Sequence, residues 1–137
     1  MNLDPSAFVA DSRLFLALEN RSTTVACDKE QVLFRQGDAP VGLYLVHKGA
    51  VTLTMDSRKA NATLSFEAAA GSLLGLPGLI GNEPYTLTAV AHSGAQLSFV
   101  TRDSFLALMQ SDHMLSMKVL QVLAAEVRTA RNAIFHL

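Results

Sequence analysis

The chain has 137 residues; half are hydrophobic, 17% are charged, and the formal net charge is −1. This length suits one domain with a sizeable core, and the composition excludes an intrinsically disordered chain. Lys and Arg are scattered, which argues against a nucleic-acid or anionic-membrane surface, and the single cysteine, Cys27, cannot form an intramolecular disulfide.

The N-terminal region, residues 1–20, shows helical spacing without the features of a secretory signal. It has no basic segment followed by a long apolar run, and no apolar run in the chain is long enough to cross a bilayer. We therefore expect a cytoplasmic protein. Apolar residues follow Pro5 at mixed helical spacings, which predicts one amphipathic helix or two short ones: Phe8, Leu14, Phe15 and Leu18.

Residues 21–101 predict about eight short strands. Apolar and polar residues alternate in VTLTM (51–55), TLSFE (63–67) and QLSFV (96–100), which is the pattern of half-buried strands. Turn residues separate the strands in QGDAP (36–40), HKGA (47–50) and MDSRKANA (55–62). Strands of this length and spacing are typical of a sandwich or jelly roll rather than a doubly wound sheet.

From about residue 102 the apolar period becomes helical again, with Ser104 and Asp112 as candidate N-caps. In the last segment apolar residues recur at alternating steps of three and four, as in a coiled coil: Leu120, Leu123, Val127, Ala130, Ile134 and Leu137. Met117, Val119 and Val122 add apolar surface on a neighbouring face. We predict that the seam forms a homodimer interface; the alternative is a helix folded entirely back on its own domain.

Two longer stretches resemble the cyclic-nucleotide-binding domains. LFRQGDAPVGLYLVHKGAVTLT (33–54) is similar to the family's strand–turn–strand signature, and GSLLGLPGLIGNEPYTLTAVA (71–91) lies where its phosphate-binding cassette falls. The order helix, strands, long helix resembles the catabolite-activator and fumarate/nitrate-regulator branch. The resemblance implies a mainly-β fold, an antiparallel β-roll or jelly roll. One domain, 1–137, would contain an N-terminal helix region (1–20), the roll (21–101) and C-terminal helices (102–137).

The resemblance also implies where a ligand would bind. In the family the cassette reads roughly Gly-Glu-x-Ala-Leu and then Pro-Arg-Ala/Ser-Ala-Thr, with the Glu on the ribose and the Arg on the cyclic phosphate. Here Leu76 replaces the Glu and Tyr85 replaces the Arg. The degenerate cassette that the resemblance assigns comprises Gly75, Leu76, Pro77, Gly78, Leu79, Pro84, Tyr85, Thr86 and Thr88. Losing one partner of a buried charged pair costs about 2–5 kcal/mol, so we predict that cAMP and cGMP do not bind in the usual way.

Three interpretations of this cassette stay open. A retained pocket would favour an apolar or less charged effector. Alternatively, the glycines only shape a tight connection, with Leu73, Leu74, Leu76, Leu79 and Ile80 in the core. In the third interpretation the domain is a genuine cyclic-nucleotide binder, and the missing Arg is replaced by a cation from elsewhere: Arg58, Lys59 or Arg131.

Other chemistries find little support in the sequence. None of the four histidines, His47, His92, His113 and His136, forms a metal-binding pair by spacing. His47 and His92 could meet across strands, but we predict no metal and no cofactor. Cys27 is interpreted as a small core residue. No G-x-S-x-G motif or recognisable Ser-His-Asp arrangement is present, so we predict no catalytic residues and no enzyme.

We therefore predict a sensory or regulatory domain that signals through a dimerising C-terminal helix, with a small-molecule effector of unidentified chemistry and a protein partner. Transcription factors of the family continue into a helix-turn-helix, whereas this sequence stops at Leu137. We expect no direct DNA binding by the chain if the protein ends there, whereas a longer parent protein could still bind DNA. The scattered positive charge and the lack of a long apolar run predict no membrane contact. The alternative of another class is a ligand-free interaction module whose dimer surface is its function.

Overall fold

A computed structural model describes residues 8–57 and 61–135, with only the backbone for residues 130 and 132–135. The strands are β1 (Thr23–Ala26), β2 (Gln31–Phe34), β3 (Gly42–Lys48), β4 (Val51–Ser57), β5 (Ala62–Ala68), β6 (Leu73–Leu74), β7 (Thr88–Ala91) and β8 (Gln96–Thr101). The helices are α1 (Ser12–Glu19), α2 (Leu76–Gly81), α3 (Arg102–Ser111) and α4 (His113–Phe135). The predicted mainly-β fold with an N-terminal helix and a long C-terminal helix is confirmed.

The strands form two four-stranded sheets, ordered β1-β8-β3-β6 and β2-β7-β4-β5, in which the strand pairs are antiparallel. Side chains from both sheets meet in an inner core that includes Val46 and Leu97 from the first sheet and Leu53 and Ala89 from the second. Packing between two inner faces is what the predicted alternation of apolar and polar residues requires.

A second, outer core lies where the helices cover the first sheet. Strand β3 supplies both cores: Leu43 and Leu45 belong to the outer core, whereas Tyr44 and Val46 contact the inner one. Successive strand residues point to opposite faces, so this one strand separates the two cores. The helices complete the outer core with Leu14, Leu18, Leu76, Leu79, Phe105, Leu108, Leu115, Val119 and Val122.

The helix starts follow capping chemistry, with one prediction corrected. Asp11 caps α1, and Asp112 caps α4 as predicted, because its Oδ1 accepts from the Met114 and Leu115 amides at 3.1 and 3.2 Å. Ser104 was the wrong choice for α3. Thr101 is the N-cap, and its Oγ1 accepts from the Ser104 amide.

Two further expectations need correction. His47 and Lys48 belong to β3, and β4 continues to Ser57, so the predicted turns at 47–50 and 55–62 begin too early; residues 58–60 lie outside the described residues.

Ile80, expected in the core if the glycines only shape a connection, is 41% exposed, unlike Leu76 and Leu79. A helix as short as α2 buries one stripe, and Ile80 lies about 100° beyond Leu79.

Among the described residues no helix combines the length and the apolar character needed to cross a bilayer. The helices and strands follow the order predicted for 1–20, 21–101 and 102–137. The exact domain limits stay a prediction.

Candidate functional site

The cassette segment packs tightly because its glycines leave room for backbone. Gly75 has φ +102°, and a Cβ there would lie 3.0 Å from the Tyr85 ring and 3.3 Å from the Gly42 carbonyl oxygen. A Cβ at Gly78 would lie 2.7 Å from the Glu83 carbonyl oxygen. Positive φ and close approach both demand glycine, so these two positions hold α2 against the turn that leads to Tyr85.

Tyr85, which stands where the resemblance places the phosphate-binding Arg, is built into the fold. Its side chain is 3% exposed and its ring stacks on Phe34 with 4.1 Å between centroids. The hydroxyl donates to the Gly42 carbonyl at 2.6 Å and accepts from the amides of Gly42 and Val41 at 3.2 and 3.1 Å. One proton and two lone pairs are the whole capacity of a tyrosine hydroxyl. The ring can contact a ligand, but the hydroxyl is already satisfied.

A cavity of about 320 Å³ lies between the cassette, the second sheet and α4. Small-molecule pockets have volumes of about 300–1,000 Å³, so this one suits a small ligand. Its lining is almost entirely apolar: Phe8, Phe34, Leu53, Met55, Leu64, Phe66, Leu74, Gly75, Pro77, Gly78, Tyr85, Thr86, Leu87, Leu123, Glu126, Val127 and Thr129.

None of the lining residues in the described part of the chain is a Lys, Arg or His. Arg102 is the cation bonded to the cassette segment, but its Nε donates to the Leu79 carbonyl at 2.9 Å and it does not line the cavity. Arg131 is exposed and does not line it either, and Arg58 and Lys59 lie outside the described residues. The described cavity therefore offers no positive side chain to a phosphate.

Glu126 of α4 is the acidic residue of this lining. Its Oε2 atom is enclosed and has no hydrogen-bond partner among the described atoms. Burial disfavours the charged form of a carboxyl and raises the pKa of Glu126 to about 8. At neutral pH the side chain is mostly a protonated acid, which can donate one hydrogen bond.

The structure divides the predicted cassette residues into three groups. Those that line the cavity are Gly75, Pro77, Gly78, Tyr85 and Thr86. Leu76 and Leu79 are buried in the outer core, away from this lining. Pro84 is exposed, and Thr88 uses its Oγ1 to accept from the Gln36 amide at 2.9 Å. Leu76, at the position of the ribose-binding Glu, is therefore a core residue.

The predicted seam on α4 is also divided. Leu120 and Val127 are each 55% exposed, and Leu123 packs against the outer core; Leu123 and Val127 both line the cavity. Val119 and Val122 are buried on the inward face, but Met117, which was predicted to lie with them, is exposed. The side chains of Ala130 and Ile134 are not described, and Leu137 lies outside the described residues. The dimer interface stays a prediction.

The sequence pattern did not single out Glu126 or the apolar wall formed by residues such as Phe34, Leu53 and Phe66. One signal for Glu126 was available. Leu115, Val119 and Val122 follow one another at steps of four and three, and the next position on that inward face is Glu126. A charged residue on a buried helix face marks a functional candidate.

The two histidines considered for a metal do not meet. His47 on β3 lies 2.5 Å from Ser98 Oγ, and His92, just after β7, lies 2.6 Å from Thr52 Oγ1. These strands belong to different sheets. Within the described residues no cluster of His, Cys, Asp and Glu could hold a metal ion. Cys27 is buried in the inner core, as its interpretation required.

Comparisons with known proteins agree with this architecture. A family model described as the cyclic nucleotide-binding domain matches residues 24–112. The catabolite activator protein of Thermus thermophilus superposes with a TM-score of 0.76 at 21% identity, over 96% of this chain and 62% of that one. A global regulator of Xanthomonas campestris described as c-di-GMP responsive gives 0.65 at 20% identity, over 90% and 60%.

A curated relative shares the domain inside a much larger protein. A lysophospholipase of Neurospora crassa is 28% identical over 116 residues, which is 85% of this chain and 8% of that protein. The chain thus spans less than two thirds of each of these three proteins. The comparisons confirm the predicted fold and the resemblance of residues 33–54 and 71–91 to their family.

Proposed function

The chain belongs to the cyclic nucleotide-binding domain family, and from this premise we propose that it is a cytoplasmic sensory domain, not an enzyme, whose effector is an apolar small molecule. The observation that carries the proposal is the cavity of about 320 Å³ beside the cassette, whose described lining is apolar and contains no cation. The family position of the ligand is kept, but its chemistry has changed.

Charge argues against a cyclic nucleotide in this cavity. A buried phosphate needs a partner, and truncating one member of a buried charged pair costs about 2–5 kcal/mol, or roughly thirty- to several-thousand-fold in affinity. Tyr85 supplies no charge and its hydroxyl is occupied by Gly42 and Val41. The acid in the lining, Glu126, offers at most one hydrogen bond and no positive charge to a phosphate.

Apolar contact favours the proposed class of effector. The walls present the rings of Phe34 and Phe66 and the aliphatic side chains of Leu53, Leu64 and Leu87. Each apolar square ångström removed from water contributes about 25 cal/mol. A small hydrophobic molecule therefore has a favourable term on every side of the cavity, with no charge to desolvate.

Helix α4 is the element through which occupancy would reach a partner. Its first half packs into the outer core with Leu115 and Val119, and its second half covers the cavity with Leu123 and Val127. A bound effector would brace the second half, and the exposed faces of Leu120 and Val127 would pass the change to a second copy and on to a protein partner. The alternative is an interaction module that binds no ligand. The cavity argues against it, because a volume of about 320 Å³ can hold a small molecule.

Thermal unfolding of the chain with 2-nonanone, cAMP or cGMP tests the proposal. A ligand at 100 times its dissociation constant adds about 2.7 kcal/mol, which at this size raises Tm by roughly 10 °C. We expect a rise with 2-nonanone and none with either nucleotide at millimolar concentration. A comparable rise with cAMP or cGMP would favour the genuine nucleotide binder, and no rise with any of them would favour the ligand-free module.

A pair of variants locates the binding. Leu64→Phe fills part of the cavity and should abolish the rise with 2-nonanone. Leu106→Phe makes the same change at a half-buried position beside the outer core, away from the cavity lining, and should leave the rise intact. Equal responses of the two variants would contradict binding in this cavity.

A further inference from the structure

We propose that Glu126 is the polar anchor of the cavity, and that the effector is a neutral, mainly apolar molecule whose hydrogen-bond acceptor, such as a carbonyl oxygen, is bound by its carboxyl O–H. The inference rests on the proposed function, an apolar effector in this cavity, and adds the chemical class of the head group. It also assigns a ligand-binding role to a residue outside the cassette.

The geometry gives Glu126 an unmet hydrogen-bonding capacity at the ligand's position. Glu126 is one of the residues that line the cavity, and its Oε2 is enclosed without a partner among the described atoms. Its helix neighbours in the lining are Leu123, Val127 and Thr129; the first two are apolar, and the Thr129 hydroxyl is not a partner of Oε2. Leaving an enclosed polar atom without a partner is unfavourable, so a ligand atom that pairs with this carboxyl gains affinity that an alkane cannot.

The surroundings keep this carboxyl neutral. The second sheet faces it with apolar side chains such as Phe34, Leu53 and Phe66, and the cassette contributes Tyr85, whose hydroxyl is already bonded to Gly42. Along α4, Arg128 is exposed and outside the lining. Burial without a described cation raises the pKa of Glu126 to about 8.

This arrangement discriminates between head groups. An anionic head group would bring charge into an apolar cavity that has no described cation, and buried unpaired charge is costly. A cationic head group would require Glu126 to ionise in the same apolar surroundings. A neutral acceptor requires neither, since the protonated carboxyl already has a hydrogen bond to donate.

Calorimetric titration of the full chain with three probes of one chain length tests the proposal: 2-nonanone, nonylamine and nonanoate. We expect 2-nonanone to bind with the same affinity at pH 6 and 7 and about tenfold more weakly at pH 9, where about a tenth of the carboxyls remain protonated. Nonanoate should bind most weakly. Tighter binding of nonylamine, with affinity that rises from pH 6 to pH 9, would overturn the proposal in favour of a cationic effector.

Two variants separate this proposal from the proposed function. Glu126→Gln keeps the size and the donor but cannot titrate, so it should bind 2-nonanone equally at pH 6 and 9. Glu83→Gln, at an exposed position outside the lining, should keep the pH dependence of the unmodified chain. If Glu126→Gln retains that dependence, the anchor is wrong while the apolar effector stands. If 2-nonanone binds at no pH, the proposed function fails and the anchor with it.

A spectroscopic measurement on the unmodified chain tests the hydrogen bond itself. The infrared carbonyl stretch of bound 2-nonanone should shift to lower frequency at pH 6, relative to the same ketone in hexane, and lose most of that shift at pH 9. A stretch that is the same at both pH values would overturn the anchor, whether or not the Glu126→Gln variant folds.

Discussion

At the residue scale, Tyr85 shows how a side chain can replace a ligand contact with a structural one. The substitution of tyrosine for the family's arginine is visible in the sequence, and in the described part of the chain no Lys, Arg or His lines the cavity beside it. The hydrogen-bond partner of the hydroxyl could not be predicted, because Gly42 lies 43 residues away along the chain. Long-range contacts of this kind are decided by packing rather than by local pattern.

The hydroxyl of Tyr85 should contribute measurably to stability. Tyr85→Phe removes the partner of the Gly42 carbonyl and of the Val41 amide, so we expect the free energy of unfolding to fall by about 1–3 kcal/mol. Urea denaturation measures the change. Tyr44→Phe is the matched control, since no hydrogen bond is described for that hydroxyl, and an equal loss in both variants would contradict the structural role.

Glu126 should make stability depend on pH. Its pKa rises from 4.5 in the unfolded chain to about 8 in the folded one, so the folded state binds the proton more tightly. The resulting stabilisation is complete below pH 4.5, declines as pH rises, and is lost above about pH 8. Glu126→Gln has no carboxyl to titrate. From pH 5 to pH 8 the free energy of unfolding of the unmodified chain should therefore fall by up to about 4 kcal/mol relative to that of Glu126→Gln.

Urea denaturation at several pH values measures that difference. Glu83→Gln serves as the control because the residue is exposed and outside the cavity lining. A difference between Glu126→Gln and the unmodified chain that stays constant from pH 5 to pH 8 would show that the carboxyl ionises normally in the folded state.

At the element scale, α4 carries two apolar faces. The sequence predicted that both faces exist, but not which part of the molecule each one contacts. The steps of three and four from Leu120 onwards indicated a seam, yet Leu123 contacts the outer core while Leu120 is exposed. An apolar stripe predicts that another surface covers it, but it does not identify that surface. The strands were easier to predict, because alternation within five to seven residues fixes both faces locally.

The exposed side of α4 gives the dimer prediction a sharp test. Leu120→Asp places a charge in the proposed seam, so we expect the dimer to weaken strongly while the monomer, in which this side chain is 55% exposed, stays folded. Gln121→Asp is the control, an exposed neighbour one step away from the seam. Sedimentation velocity measures the mass, and an unchanged mass for Leu120→Asp would exclude this residue from an essential contact.

At the scale of the whole molecule, the outer core holds the helices in place, and the inner core borders the cavity that we propose as the ligand site. The outer core joins the helices to one sheet, and the cavity opens beside the inner core against the other sheet. The sequence predicted the roll and its flanking helices from periods and turns, with a family resemblance for their order. It could not predict the cavity, because an empty volume results from how well distant side chains fill space, and no short pattern encodes that fit.

This division should appear in hydrogen exchange along α4. Residues 113–122 pack on the outer core, whereas residues 123–129 lie over the cavity, so the amides of the second segment should exchange faster in the free protein. Saturation with 2-nonanone should slow exchange in the second segment and leave the first nearly unchanged. Mass spectrometry of peptic fragments measures both, and uniform exchange along the helix would contradict the bracing of α4 by a ligand.

The three hydrogen bonds of the Tyr85 hydroxyl also make substitutions at position 85 costly. Tyr85→Arg, which introduces the residue that the family resemblance places here, would leave the Gly42 carbonyl without its partner and remove the ring that stacks on Phe34. Stability would fall before any phosphate was gained. Substitutions at half-buried wall residues such as Leu64 and Leu87 break no such hydrogen bonds. If the effector is apolar, as we propose, we therefore expect proteins that share this tyrosine to vary more in these wall residues than at position 85.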